Sequence, residues 1–138
     1  MKKLYSVIVN CVILNNDNKV LIAQRSLKEG HEGGKWSIPG GKMESTGEEH
    51  GILLKNIKKE VLEEVGIEIF NDVFLIYDNT FIRSNGDDVL ALVFLCRYKS
   101  GEAKPLEDTI DIKWIEKEEI NNYQFSPNIK EYILKAFS

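Results

Sequence analysis

Apolar side chains, many of them β-branched, dominate Leu4 to Leu14, and the pattern predicts an extended strand. Asn15-Asn16-Asp17-Asn18 supplies turn residues and Val20 to Gln24 resumes the extended run, so a hairpin is expected. Residues 26–35 are polar and glycine-rich and read as a loop. Trp36-Ser37-Ile38 is a short extended piece that runs into the turn-forming Pro39-Gly40-Gly41. The period then changes. Ile57, Val61 and Val65 recur at helical spacing and predict a helix from about Glu48 to Val65, with Gly66 as C-cap. Thr46 and Glu49 have capping-box spacing. Gly51 inside this span costs roughly 1 kcal/mol relative to Ala, which moves the expected start toward Ile52.

Strand-like runs follow at Ile67–Asp78, Thr80–Arg83, Val89–Tyr98 and Ile110–Ile115, with Asn71-Asp72 and Asn85-Gly86 marking turns. Lys117 to Ile120 fits one helical turn. Ser126 followed by Pro127 fits an N-cap with proline at the first helical position, opening a terminal helix to about Phe137. Strands, helix, strands, helix predict one sheet enclosed by two helices. This is an α/β (α+β) sandwich, with residues 1–138 forming a single domain.

The chain has 138 residues, 29% of them charged, and a net charge of -4. That balance lacks the basic footprint of a duplex nucleic-acid binder, yet a small polyphosphate can still bind through a bridging cation. No apolar run reaches the eighteen or so residues of a membrane helix, and the Leu4–Leu14 run lacks the length and cleavage site of a signal peptide. Cys11 and Cys96 both sit in apolar strand-like runs and are expected to be buried free thiols in a cytoplasmic protein.

The segment Lys59-Glu60-Val61-Leu62-Glu63-Glu64-Val65-Gly66-Ile67 carries the chemistry. On a helix, Glu60 faces the same way as Glu63 and Glu64, three and four residues on. Like charges so placed repel, and partial burial raises the cost unless a cation neutralises them. Oxygen-only ligands favour Mg2+ first and Mn2+ second.

With its lead-in Trp36-Ser37-Ile38-Pro39-Gly40-Gly41-Lys42-Met43-Glu44, this segment resembles the signature of the Nudix (MutT-like) hydrolases. The back half matches everywhere except that Lys59 stands where the family has Arg. Gly41 and Glu60 are nineteen positions apart, four more than the family spacing. Four residues approximate one helical turn, so the addition is either an extra turn or a longer loop through Ser45 to Gly51.

The resemblance implies a Nudix-type α-β-α sandwich around a mixed β-sheet. It also implies a cytoplasmic, Mg2+-dependent pyrophosphohydrolase of a small-molecule nucleoside diphosphate derivative. The leading substrate is a nucleoside triphosphate, including an oxidised one of the 8-oxo-dGTP kind, cleaved to the monophosphate and pyrophosphate. A nucleotide sugar or ADP-ribose is the alternative, as is a catalytically silent nucleotide-sensing module. In this reading Glu60, Glu63, Glu64 and the Gly40 carbonyl hold the metal, one carboxylate doubles as base, and Lys59 braces the carboxylates without the bidentate fork of Arg. An additional acid comes from Glu44, Glu48, Glu107 or Asp108. Arg25 is a candidate phosphate contact and Asn128 a candidate base reader. Trp36 either stacks on a base or belongs to the core. His31 is a loop residue that could touch substrate, His50 a solvent-facing one, and Tyr77, Phe81 and Arg83 are possible cleft residues. The resemblance implies a monomer or a homodimer.

Overall fold

The computed structural model describes residues 3–28 and 32–138; His31 lies outside them. Strand β1 (Ser6–Leu14) explains its own apolar sequence, because both its faces are covered. Val9, Cys11 and Ile13 pack with Ile57, Val61 and Val65 of helix α1 (Ile52–Val65). Val12 and Leu14 point the other way, into a cluster with Ile129, Tyr132 and Ile133 of helix α2 (Ile129–Ala136). One sheet therefore separates two helices, a mixed α-β-α sandwich. Cys11 and Cys96 are both buried and free. Among the described residues, no helix is long and apolar enough to cross a membrane.

The remaining strands are β2 (Val20–Arg25), β3 (Trp36–Ser37), β4 (Gly40–Lys42), β5 (Glu68–Ile69), β6 (Phe74–Ile82), β7 (Asp88–Ser100) and β8 (Thr109–Ile115). β1 runs parallel to β7 from Ser6↔Val89 to Leu14↔Arg97, while the other pairings are antiparallel. The expected hairpin forms, and Asn15 Oδ1 closes its turn by accepting from the amides of Asp17 and Lys19. Its strands register only at Leu14↔Val20 and then part. β2 continues with β8 and β3, whereas β1 continues with β4 and β7. This divergence opens the sheet beside Gly40.

Helix α1 begins at Ile52, toward which Gly51 moves the expected start, because that glycine adopts a left-handed conformation (φ 65°) that helix cannot continue through. The Thr46 amide does donate to Glu49 Oε2 at 3.0 Å, but within the preceding loop and not at the helix end. The four extra residues therefore lengthen the loop, which Asn56 fastens to the helix: its buried amide bonds both the N–H (2.9 Å) and the C=O (3.0 Å) of Glu44.

Helix α2 begins at Ile129, with Asn128 (φ 73°) at the N-cap position, instead of at Ser126-Pro127. Hydrogen bonds from Trp36 N to Gln124 O and from Ser126 N to Trp36 O, both 2.9 Å, hold residues 124–126 extended beside β3. The chain cannot turn helical until it leaves that contact. Finally, the expected run Ile67–Asp78 breaks at Asn71-Asp72 into β5 and β6, and Gly40–Lys42 is a strand where a turn was expected.

Candidate active site

Ile57, Val61 and Val65 fix the rotation of α1 by burying one stripe of it. Glu60, Glu63 and Glu64, beside that stripe, are half-buried. Gly41 of β4 lies directly against Glu60: a Cβ at this glycine would stand 2.6 Å from Glu60 Cδ. Gly40 is packed as tightly on β1, where a Cβ would meet Val9 O at 2.3 Å. Cys11 N donates to Pro39 O and Met43 N to Val7 O, so alternate residues of this segment spend their backbone groups on β1. By antiparallel alternation, Gly40 between them turns its N–H and C=O away from β1. Its N–H donates to the Glu64 carboxylate.

The electrostatics follow from this crowding. Burial, then the neighbouring charge of Glu60, pushes the Glu64 carboxyl up to about 8 from an ordinary 4.5. Burial and Glu63 raise Glu60 as well, while Lys59 opposes the shift. Lys59 lies 3.2 Å from Glu44 Oε2, and Glu44, then Glu63 and Glu60, hold its ammonium above the usual range.

Glu107 and Asp108 reach the same place from the loop before β8. Leu106 N bonds Glu64 O at 3.0 Å and Ser26 N bonds Asp108 O at 2.8 Å, stitching that loop to the end of α1 and to the residue after β2. The charge of Glu107 is felt by both Glu60 and Glu64.

Gly40, Gly41, Glu64, Glu107 and Asp108 line a cleft of about 300 Å³ together with Arg25 and Arg83, while Glu60 and Glu63 are not among its lining residues. A larger cavity of about 640 Å³ adjoins it and shares Ile8, Asn10, Arg25, Ser37 and Arg83. Phe81 and Asn128 line the larger cavity.

Three expectations are corrected here. Trp36 is 9% exposed, packs edge-on against Tyr123 at 5.2 Å and lines neither cavity, so it belongs to the core and not to a base-stacking surface. Glu48 is fully on the exposed loop and lines neither cavity, so it is not brought to the site. Glu44 pairs with Lys59, and its charge also contributes to raising Glu60. Tyr77 packs against Tyr132 instead of lining the cleft. Asn10, Ser37 and Ser126 were not anticipated. Asn10 had a signal: it is a polar residue in the middle of the apolar run Val7-Ile8-Val9-Asn10-Cys11-Val12.

Among the described residues, no three His, Cys, Asp or Glu side chains stand close enough together to hold an ion as placed. The donors nonetheless suit a hard divalent cation. They are all oxygens, and Glu64 has its proton affinity raised by burial and then by the neighbouring Glu60 carboxylate. Carboxylates and guanidinium groups lining one cleft are what a pyrophosphate link held through such a cation requires. That arrangement, on this fold, sets the protein among the hydrolases that act on phosphoric anhydride bonds.

The NUDIX domain profile matches residues 4–137, and the chain belongs to that family, whose hydrolases act on nucleotide substrates. An 8-oxo-dGTP diphosphatase of Proteus vulgaris is 45% identical over 58 residues, which span 42% of this chain and 47% of that protein. The uncharacterized Nudix hydrolase YvcI of Bacillus subtilis is 30% identical over 140 residues, covering 94% of this chain and 79% of that one. Among solved structures, the MutT protein of Methanosarcina mazei superposes with a TM-score of 0.76 at 24% identity, covering 99% of this chain and 96% of the other. The NUDIX domain of Shewanella oneidensis NrtR, in complex with ADP ribose, gives 0.80 at 17% identity, covering 99% and 88%.

Proposed function

We propose that this protein is a Mg2+-dependent pyrophosphohydrolase that splits a nucleoside triphosphate, including an oxidised one of the 8-oxo-dGTP kind, into the monophosphate and pyrophosphate. The observation that carries this reading is the crowding of half-buried Glu60 and Glu64 against Gly41 and Gly40, with Arg25 and Arg83 lining the same cleft as Glu64. The two adjoining cavities have the volume of a nucleotide site. The similarity to the Proteus vulgaris 8-oxo-dGTP diphosphatase, 45% over 58 residues, supports the oxidised-nucleotide preference.

Glu60, Glu63, Glu64 and the Gly40 carbonyl would hold the ion, with Mn2+ able to replace Mg2+. When bound, the metal neutralises pyrophosphate charge and makes a water more acidic. Arg25 and Arg83 bind and orient the phosphates, since a guanidinium matches two phosphate oxygens at once. A helix glutamate, or Glu107 or Asp108 from the loop before β8, takes the proton of the attacking water. Lys59, paired with Glu44, steadies Glu60 and Glu63 as a charge. Residues 1–138 act as one domain, and the buried unpaired thiols suit a reducing, cytoplasmic setting.

The test is product analysis over canonical and oxidised nucleoside triphosphates, nucleotide sugars and ADP-ribose, with Mg2+, for the wild type and Glu63→Gln. Monophosphate plus pyrophosphate from triphosphates, lost in Glu63→Gln, supports the reading. Turnover only of ADP-ribose or a nucleotide sugar would replace it with the linked-diphosphate alternative. Tight binding without turnover would make the protein a nucleotide sensor.

A further inference from the structure

Of the buried residues of α1 only Asn56 is polar, the others being Ile57, Val61 and Val65. Its amide is fully engaged. Oδ1 accepts from Glu44 N at 2.9 Å, while Nδ2 donates to Glu44 O at 3.0 Å and to Ile52 O at 2.9 Å. The pairing with β1 reaches only as far as Lys42 and Met43, and among the described residues no backbone–backbone hydrogen bond holds Glu44. The Glu44 carboxylate in turn meets Lys59 Nζ at 3.2 Å, with the two side chains 68% and 48% exposed. A pair so exposed adds little to stability, so its own strength does not account for a buried amide that sets it in place. What the pair fixes is the position of a charge. The Lys59 ammonium is influenced by Glu63 and Glu60 after Glu44, and it acts on Glu60 in return.

We infer that Asn56 is a positioning residue for the carboxylate cluster: it holds Glu44, Glu44 holds the Lys59 ammonium, and that ammonium is kept beside Glu60 and Glu63. This rests on the metal reading above. A guanidinium orients itself against two oxygens through its planar fork, whereas an ammonium on a flexible stem is a point charge with no preferred direction. Lys59 therefore needs a second carboxylate to fix it, and Glu44 is that group. Glu44 itself lies beyond the last β4 pairing, at the start of the lengthened loop. Without Asn56, nothing else among the described residues fixes its main chain. The longer loop and the lysine thus form one arrangement, because Asn56 ties the loop to α1 three residues before Lys59. Groups that orient metal ligands from outside typically change ion affinity by about tenfold or more.

Two measurements test it. The first is made without metal, by magnetic relaxation of the lysine ammonium nitrogens, with the exposed neighbour Lys58 as internal reference. Lys59 should be more restricted than Lys58 in the wild type and as mobile as Lys58 in Asn56→Ala. The second is Mn2+ binding without nucleotide, read from the signal of the free ion in a double-mutant cycle. Asn56→Ala removes no charge, yet it should weaken binding about tenfold. In the Lys59→Gln background the same change should cost no more than about twofold. A Lys59 equally restrained in the wild type and in Asn56→Ala would overturn the inference. So would equal losses of Mn2+ affinity in the two backgrounds, which is what a merely structural role for Asn56 gives. If Asn56→Ala does not fold, Glu44→Gln serves in both measurements, since it breaks the link at an exposed side chain and should free Lys59 to the same extent. The relaxation result needs neither metal nor turnover. A wild type that bound no Mn2+ would therefore sink the hydrolase reading, while Lys59 mobility alone would still decide the role of Asn56.

Discussion

Asn56 grips the main chain of Glu44 from both sides, accepting from its amide at 2.9 Å and donating to its carbonyl at 3.0 Å. The same amide also donates to Ile52 O at 2.9 Å, so the long loop is tied to the first turns of the helix that bears the glutamates. Lys59 then meets Glu44 at 3.2 Å.

Asn56→Ala should therefore strand two backbone groups of Glu44 and release the loop. With Asn56 only 4% exposed, the expected loss is about 1–3 kcal/mol of stability. Lys59→Ala, at an exposed position, should leave stability nearly unchanged. Chemical denaturation of both variants checks the contrast; equal losses would show that the loop is not held by Asn56.

Gly40 and Gly41 should respond differently to the same change. Alanine at Gly40 drives a methyl into Val9 O, which is backbone and cannot move aside, so destabilisation of about 1–3 kcal/mol is expected. Alanine at Gly41 meets the carboxylate end of Glu60, which can swing away. Gly41→Ala should keep most of its stability while losing Mg2+ affinity. Thermal unfolding paired with metal titration separates the two effects.

Glu64 makes stability depend on pH. Its folded carboxyl is raised to about 8 from 4.5, so the native state holds the proton more firmly than the unfolded chain does. The contribution is complete below about 4.5 and is lost as pH rises through about 8. Without metal, melting temperature should fall over this window more steeply in the wild type than in Glu64→Gln. Mg2+ must displace the same proton, so its affinity should climb toward about pH 8 and then level. Melting curves across pH, with Mg2+ or with chelator, give both slopes.

The parts of the fold that sequence revealed are those with a period. The stripe Ile57, Val61, Val65 defined α1, and the β-branched run to Leu14 defined β1. The glutamate face was legible for the same reason, since its orientation follows from the stripe. The missing parts depend on distant partners. Gly40–Lys42 is a strand only because β1 pairs with it, and its glycines read locally as a turn. Ser126-Pro127 has the chemistry of a helix start, but β3 keeps the chain extended there. Trp36 lay between two readings until Tyr123 and Lys113 were found against its ring. Glu107 is brought near Glu60 and Glu64 by the loop's hydrogen bonds to Glu64 and Ser26, which spacing cannot show.

Titration with Mn2+, followed by the magnetic resonance signal of the free ion in the presence of a non-hydrolysable triphosphate, tests the central claim most directly. The helix glutamates as metal holders predict a saturable site in the wild type and at least tenfold weaker binding in Glu60→Gln and Glu64→Gln. Equal ion affinity in the wild type and both variants would contradict it.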